Sequence, residues 1–139
     1  MMRAVLDTNV LIASTKSRSP HSPNREILER WRLGQFSVLY SIDILHEYVE
    51  KLLAHGIPEG LILEILWAFR DAAEEVTIRF FHLPLYPADR DDIAFILCAA
   101  NGGATHLVTY DGGFDALRGT ADFAICAPLE FLRMVRQLE

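Results

Sequence analysis

Short apolar runs alternate with helical patterns along this chain, and that alternation restricts the fold more than any other feature. Arg3 to Asp7, Phe36 to Tyr40, Val76 to Leu83, His106 to Thr109 and Phe123 to Cys126 have the length and content of buried strands. Val10 to Ala13 begins a short helix, and the polar stretch Ser14 to Pro23, with its two prolines, reads as a mobile loop. Asn24 is placed to cap a helix with an Ile27, Leu28 and Trp31 stripe. Ser41 caps another, with Leu45, Tyr48, Val49 and Leu52 on one face and an end near Gly56. Pro58 opens a helix that is apolar nearly all round from Leu61 to Phe69, which demands burial in the core or against a second chain. Asp89 to Asn101 is a helix ended by Gly102-Gly103, Gly113 to Leu117 a short one, and Pro128 to Gln137 an amphipathic one. Strands joined through helices pair in parallel, with helices over both faces. The expectation is an α/β fold: a three-layer α/β/α arrangement around a mostly parallel sheet of about five strands. Residues 1–139 form one domain, with no repeat or linker.

Composition excludes several classes. At 139 residues and 51% hydrophobic, the chain can bury a full core and is not disordered. No apolar run approaches the ~20 residues needed to span a bilayer, and the N-terminus enters a strand too soon for a signal peptide. Cys98 and Cys126 lie in apolar surroundings without metal-ligand spacing, which reads as reduced core thiols in a cytoplasmic protein. The net charge of −6 argues at first against a nucleic-acid partner. Its distribution weakens that objection. Through Lys51 there are 7 basic and 6 acidic residues, leaving 6 basic and 13 acidic beyond it. Lys16, Arg18 and Arg25 can line one side of a phosphate track, whereas Arg30 and Arg32 fit a solvated helix face equally well.

Four acidic stretches carry the chemistry. Asp7 follows Val5-Leu6 at the end of a strand, and Thr8-Asn9 can hold its carboxylate or a bound water by hydrogen bonds. Asp111 ends a strand in the same way, where Gly112-Gly113 lets the backbone turn. Asp89, Asp91 and Asp92 begin a helix. Capping accounts for Asp89, while Asp92, directly before the apolar run, is the better metal candidate and Asp91 the second. Glu47 falls off the apolar stripe of its helix and by itself is a solvated partner of Lys51; only its company raises it. Strand ends and the helix starts that follow them share one crevice in an α/β sheet. Two like charges about 4 Å apart repel by roughly 1 kcal/mol in water and roughly 4 at an effective dielectric of 20. A hard divalent cation such as Mg²⁺ or Mn²⁺ removes that cost.

These stretches resemble the PIN-domain family of metal-dependent ribonucleases, and particularly its VapC-like branch of toxins from toxin–antitoxin systems. The similarity runs in order through Leu6-Asp7-Thr8-Asn9, Ser41-Ile-Asp-Ile-Leu-His-Glu47, Asp89-Arg90-Asp91-Asp92, Thr109-Tyr110-Asp111 and the closing Pro128-Leu-Glu-Phe131-Leu132. The resemblance implies that Asp7, Glu47, Asp92 and Asp111 bind one or two Mg²⁺ or Mn²⁺ ions and catalyse phosphodiester hydrolysis, with Thr8 and Asn9 in support. It implies single-stranded RNA as substrate, and a second copy and a small antitoxin as partners. The family pattern breaks after Asp111, where Gly112-Gly113-Phe114 precedes Asp115, so a role for Asp115 is left open.

Two other classes compete. An aspartyl-phosphate phosphatase would use a strand-end Asp such as Asp7. Asn9 stands where its second acid belongs, however, and no lysine precedes 89–92 closely enough to bind phosphate, Lys16 and Lys51 being the only two. A catalytically idle nucleic-acid or partner-binding protein would gain stability by losing one of four mutually repelling acids. The five histidines, at 21, 46, 55, 82 and 106, show no ligand spacing.

Overall fold

The computed structural model describes residues 1–139 except 18, 20, 84, 85, 88, 120 and 139 and the side chain of 116. Arg18, one of the three cations of the expected phosphate track, therefore lies outside the described residues. Five parallel strands form one sheet in the order β3-β2-β1-β4-β5. These are β1 (Arg3–Leu6), β2 (Ser37–Tyr40), β3 (Glu74–Glu75), β4 (His106–Val108) and β5 (Ala124–Cys126). Helices α1 (Thr8–Lys16), α2 (Pro23–Arg32), α3 (Ile42–Ala54), α4 (Glu59–Ala72), α5 (Ile93–Gly102) and α6 (Pro128–Arg136) occupy the connections. The α/β architecture expected from the alternation is the one observed.

The central strand β1 is buried through Ala4, Val5 and Leu6, and its neighbours contribute Val38, Leu39, Leu107 and Val108 to the same core. A strand covered on both faces reads as continuous apolar sequence, which is why these short runs were recognisable. The register pairs Val5 with Leu39 on one side and with Leu107 on the other. Asp7 and Thr109 are thereby delivered to adjacent positions just beyond the strand ends, and the Asp7 amide donates to the Val108 carbonyl at 2.9 Å.

The third strand corrects the expectation. Only Glu74–Glu75 pairs with β2, and 76–83 lies outside regular structure. β2 ends at Tyr40, whose carbonyl accepts the Val76 amide at 2.7 Å, so nothing remains for residues 78–83 to pair with. The Asn101 side chain substitutes for a ladder there. Its Oδ1 accepts the amides of Arg79 and Phe80 at 2.8 and 3.1 Å, and its Nδ2 donates to the Phe80 carbonyl at 3.0 Å.

Smaller departures have equally local causes. Ser22, not Asn24, is the N-cap residue of α2, because Pro23 fits the first helical position, where its missing N–H costs nothing. α1 begins at Thr8 and runs to Lys16, so Ser14, Thr15 and Lys16 are helical and not part of the expected loop. The helix expected from Asp89 starts as a tight 3₁₀ turn, Arg90–Asp92, before α5 proper, and Asp89 caps that turn by accepting the Asp91 amide at 2.9 Å. α5 ends as expected: Gly103 takes φ +63°, a left-handed conformation that disfavours any side chain. On α4, Ile62 and Phe69 are buried, whereas Leu63 and Trp67 are 55% and 56% exposed. Both cysteines are buried, and burial pushes each thiol up to about 12, so neither is reactive. Among the described residues no helix is long and apolar enough to cross a membrane.

Candidate active site

The carboxyl edge of β1 and β4 is where the acids meet. Asp7 stands between β1 and α1 and is buried, with 6% of its surface exposed. Its Oδ1 accepts the Thr8 amide at 2.7 Å and its Oδ2 accepts the Thr109 hydroxyl at 2.6 Å. The Thr109 oxygen in turn accepts the Asp111 amide at 2.9 Å, and Asp111 Oδ1 accepts the Gly113 amide at 2.8 Å. One hydroxyl thus ties the acid after β1 to the turn carrying the acid after β4. Gly113 is closed down on this turn: a Cβ there would lie 3.2 Å from Asp111 Oδ1 and 3.3 Å from Asp92 Oδ2. Any side chain would push the two carboxylates aside.

Asp92 enters from the start of α5 and is 7% exposed. Its Oδ2 is buried with no hydrogen-bond partner. An unpaired buried carboxylate oxygen costs several kcal/mol by the effective penalty for a desolvated charge, unless a proton or a cation joins it. Glu47 approaches from the middle of α3, with Oε2 3.4 Å from the Thr8 hydroxyl. α3 is fixed against β1 by Tyr48, fully buried, whose hydroxyl donates to the Leu6 carbonyl immediately before Asp7.

The electrostatics join these groups into one set. Burial pushes Asp92 up to about 7, and the charges of Asp7, Asp111, Asp89 and Glu47 act in the same direction. Glu47 is also pushed up to about 7, by burial and then by Asp7 and Asp91, against a weaker opposing pull from Lys51. Burial raises Asp7 as well, the Thr109 and Thr8 bonds oppose it, and Asp111 adds to the rise. Among the described residues, the groups that act most strongly on Asp7 and Asp92 include no arginine or lysine.

The expected residues separate accordingly. Asp7, Glu47, Asp92 and Asp111 interact at one edge, and Asp91 reaches it through its field on Glu47. Asp115 is held in an ion pair with Arg118 at 2.8 Å. Thr8 and Asn9 both border the acids, Asn9 Oδ1 accepting the Tyr110 amide at 3.4 Å. Lys16 sits at the far end of α1, about 13 Å along the helix at 1.5 Å per residue, with Nζ 2.9 Å from His55 Nδ1. Arg25 lines a separate groove with Ser14, Leu28 and Leu61. The cations that share a cleft with Glu47 and Asp91 are Lys51 and Arg90. Sequence reasoning named Gly113 only as a turn residue and Thr109 only as part of a strand-end motif, and gave neither a role at the acids. Their signal was present: a hydroxyl two residues before a strand-end acid and a glycine two residues after it.

The carboxylates are neighbours, not a closed cage: among the described residues no three His, Cys, Asp or Glu side chains already enclose an ion. Mg²⁺ does not require one, since it keeps several waters and is commonly held by one or two carboxylates together with substrate phosphate. An all-oxygen donor set with an orphaned buried carboxylate oxygen suits such a hard cation.

Comparison with known proteins agrees with this geometry. A solved structure described as VapBC2 from Rickettsia felis bound to a DNA fragment from their promoter is similar to the chain with a TM-score of 0.61. The match covers 91% of this chain and 98% of that one at 14% sequence identity, a likeness of fold. No curated protein matches the sequence. The PIN-domain model matches residues 3–112, which include every acid gathered at the sheet edge. The chain belongs to the PIN-domain family, whose members are typically nucleases that use divalent metal ions.

Proposed function

We propose that this protein is a metal-dependent ribonuclease that hydrolyses phosphodiester bonds of single-stranded RNA, and that it is the toxin of a toxin–antitoxin pair. The observation that carries the reading is the orphaned Asp92 Oδ2, buried within the field of Asp7 and Asp111 and without a hydrogen-bond partner among the described residues. Asp7, Asp92, Asp111 and Glu47 would hold one or two Mg²⁺ or Mn²⁺ ions. Bound there, the ion supplies Lewis-acid chemistry, activating water and relieving charge at the phosphodiester. The chain's own part is orientation. Thr109 and the Thr8 amide hold both Asp7 oxygens, and Gly113 holds Asp111. Lys51 and Arg90, beside Glu47, can hold a neighbouring phosphate, with Lys16, Arg18 and Arg25 able to extend the track.

The solved toxin–antitoxin relative supports an antitoxin partner, and the half-exposed Leu63 and Trp67 on α4 support a homodimer. The apolar, reduced setting of both cysteines supports a cytoplasmic location. The test is titration of Mn²⁺ and Mg²⁺ into metal-free protein, followed by a cleavage assay on single-stranded RNA. Saturable binding with metal-dependent cleavage is expected. Binding without cleavage of RNA or DNA would indicate an idle site, and absence of binding would remove the reading.

A further inference from the structure

Tyr110 combines exposure with rigid anchoring, beside the acids. It lies between Thr109, which bonds Asp7, and Asp111, yet 54% of its surface is open to solvent. A half-exposed aromatic ring is ordinarily free to reorient. This one is held at both ends. Its backbone amide donates to Asn9 Oδ1 at 3.4 Å, and its hydroxyl lies 2.8 Å from Nδ2 and 3.1 Å from Oδ1 of Asn24. Asn24 is itself buried, at 5% exposure, in the first turn of α2. The usual reason for a large buried carboxamide is packing or capping, and Ser22 already occupies the cap position. The tether leaves an oriented, partly exposed residue on the turn that carries Asp111.

We infer that the Tyr110 ring is a stacking platform for a nucleobase of the single-stranded substrate, next to the phosphodiester placed at the metal ions that Asp7 and Asp111 would hold. The inference rests on the nuclease reading and deepens it by assigning a residue that positions the strand. A phosphodiester at the acids carries its bases to either side. Lys51 and Arg90 lie by Glu47, whereas Tyr110 lies by Asn9 and Asn24, so the cations and the aromatic ring have different neighbours and could meet different parts of the strand. Stacking suits an enzyme on single strands because every base offers a π-face, and a ring already fixed loses little freedom on binding.

The test uses the full chain carrying Asp7→Asn, to silence cleavage, in Mg²⁺, with fluorescence anisotropy on labelled oligouridine and on the same strand made abasic. Tyr110→Ala should weaken binding of the intact strand by about 5-fold to 150-fold, the range for one lost base stack. On the abasic strand, Tyr110→Ala and its parent should bind alike. Tyr110→Phe, which keeps the ring and loses the Asn24 tether, should retain most of the affinity. Tyr110→Gln, which keeps a polar group for Asn24 and loses the ring, should behave as Tyr110→Ala does and guards against a folding defect. Phe81→Ala removes another exposed ring, at the opposite end of α5, and should leave binding unchanged. Equal binding of the intact strand by Tyr110→Ala and its parent would overturn the inference while leaving the nuclease reading in place. So would an equal loss on intact and abasic strands, the outcome for a ring that serves only as a strut or a protein contact. If the parent binds neither oligouridine nor oligothymidine and the wild-type chain cleaves neither, the nuclease reading falls and the inference with it.

Discussion

The Thr109 hydroxyl donates to Asp7 Oδ2 at 2.6 Å and accepts the Asp111 amide at 2.9 Å. Two acids 104 residues apart in the chain (111 − 7) are therefore set by one buried oxygen. Thr109→Val keeps the shape and removes both bonds, leaving a buried carboxylate oxygen and an amide unpaired. The expected cost is about 1–3 kcal/mol in denaturant unfolding, with Thr109→Ser close to wild type. Because the bond lowers the Asp7 proton affinity, Thr109→Val should also raise the Asp7 pKa further. A carboxyl titration followed by NMR that leaves Asp7 unmoved would contradict the relay.

The pH dependence of stability should carry two limbs of opposite sign. Asp92 and Glu47 have folded values near 7, above their ordinary 3.8 and 4.5. Groups raised on folding favour the folded state fully below their unfolded pKa, and that advantage is lost as pH rises through the folded value. Metal-free protein should therefore lose several degrees of melting temperature between about pH 4.5 and 7.5. Asp92→Asn should flatten the fall, and millimolar Mn²⁺ at pH 7.5 should reverse much of it. Glu26 has the opposite sign. Arg136 and Arg30 hold it down to about 2, so its contribution is present above its ordinary 4.5 and fades as pH falls towards 2. Glu26→Gln should weaken the α2–α6 contact at pH 7 and soften the loss of stability in acid.

Assembly rests on α4. Leu63, Leu66 and Trp67 line a shallow apolar depression with Arg70, whose guanidinium lies 5.1 Å from the Trp67 ring centre. Burying a Leu or a similar side chain is worth roughly 1.5–3 kcal/mol, enough for a few such residues to hold two copies together. Light scattering should show a dimer that Trp67→Glu or Leu63→Glu dissociates without unfolding. A monomer at high concentration for the unaltered protein would refute it.

Legibility followed burial. Strands covered on both faces wrote their position into the sequence as unbroken apolar runs, and Asp7 and Asp111 stood out because charge ends each run. Residues 76–83 carry the same composition but form no strand, because pairing length is set by the partner β2, a long-range fact invisible locally. Asn24 resembled a cap because caps and buried carboxamides use the same residue type; only the Tyr110 contact separates them. Thr109 and Gly113 act through partners brought near by the β1–β4 register, which no local pattern contains. Glu47 became part of the set once Tyr48 fixed the rotation of α3 against β1.

The most direct test of the central claim is cleavage of a labelled single-stranded RNA by the wild-type chain, Asp7→Asn and Asp71→Asn, in Mg²⁺ or Mn²⁺ and in chelator. Asp71 is exposed at the end of α4, so its substitution removes the same charge away from the sheet edge. Cleavage should occur with metal, stop in chelator and return on adding metal back. Asp7→Asn should lose at least about 100-fold of the rate, as when a group acting in the transition state is removed, and Asp71→Asn almost none. Equal rates for Asp7→Asn and the wild type, or undiminished cleavage in chelator, would contradict the account.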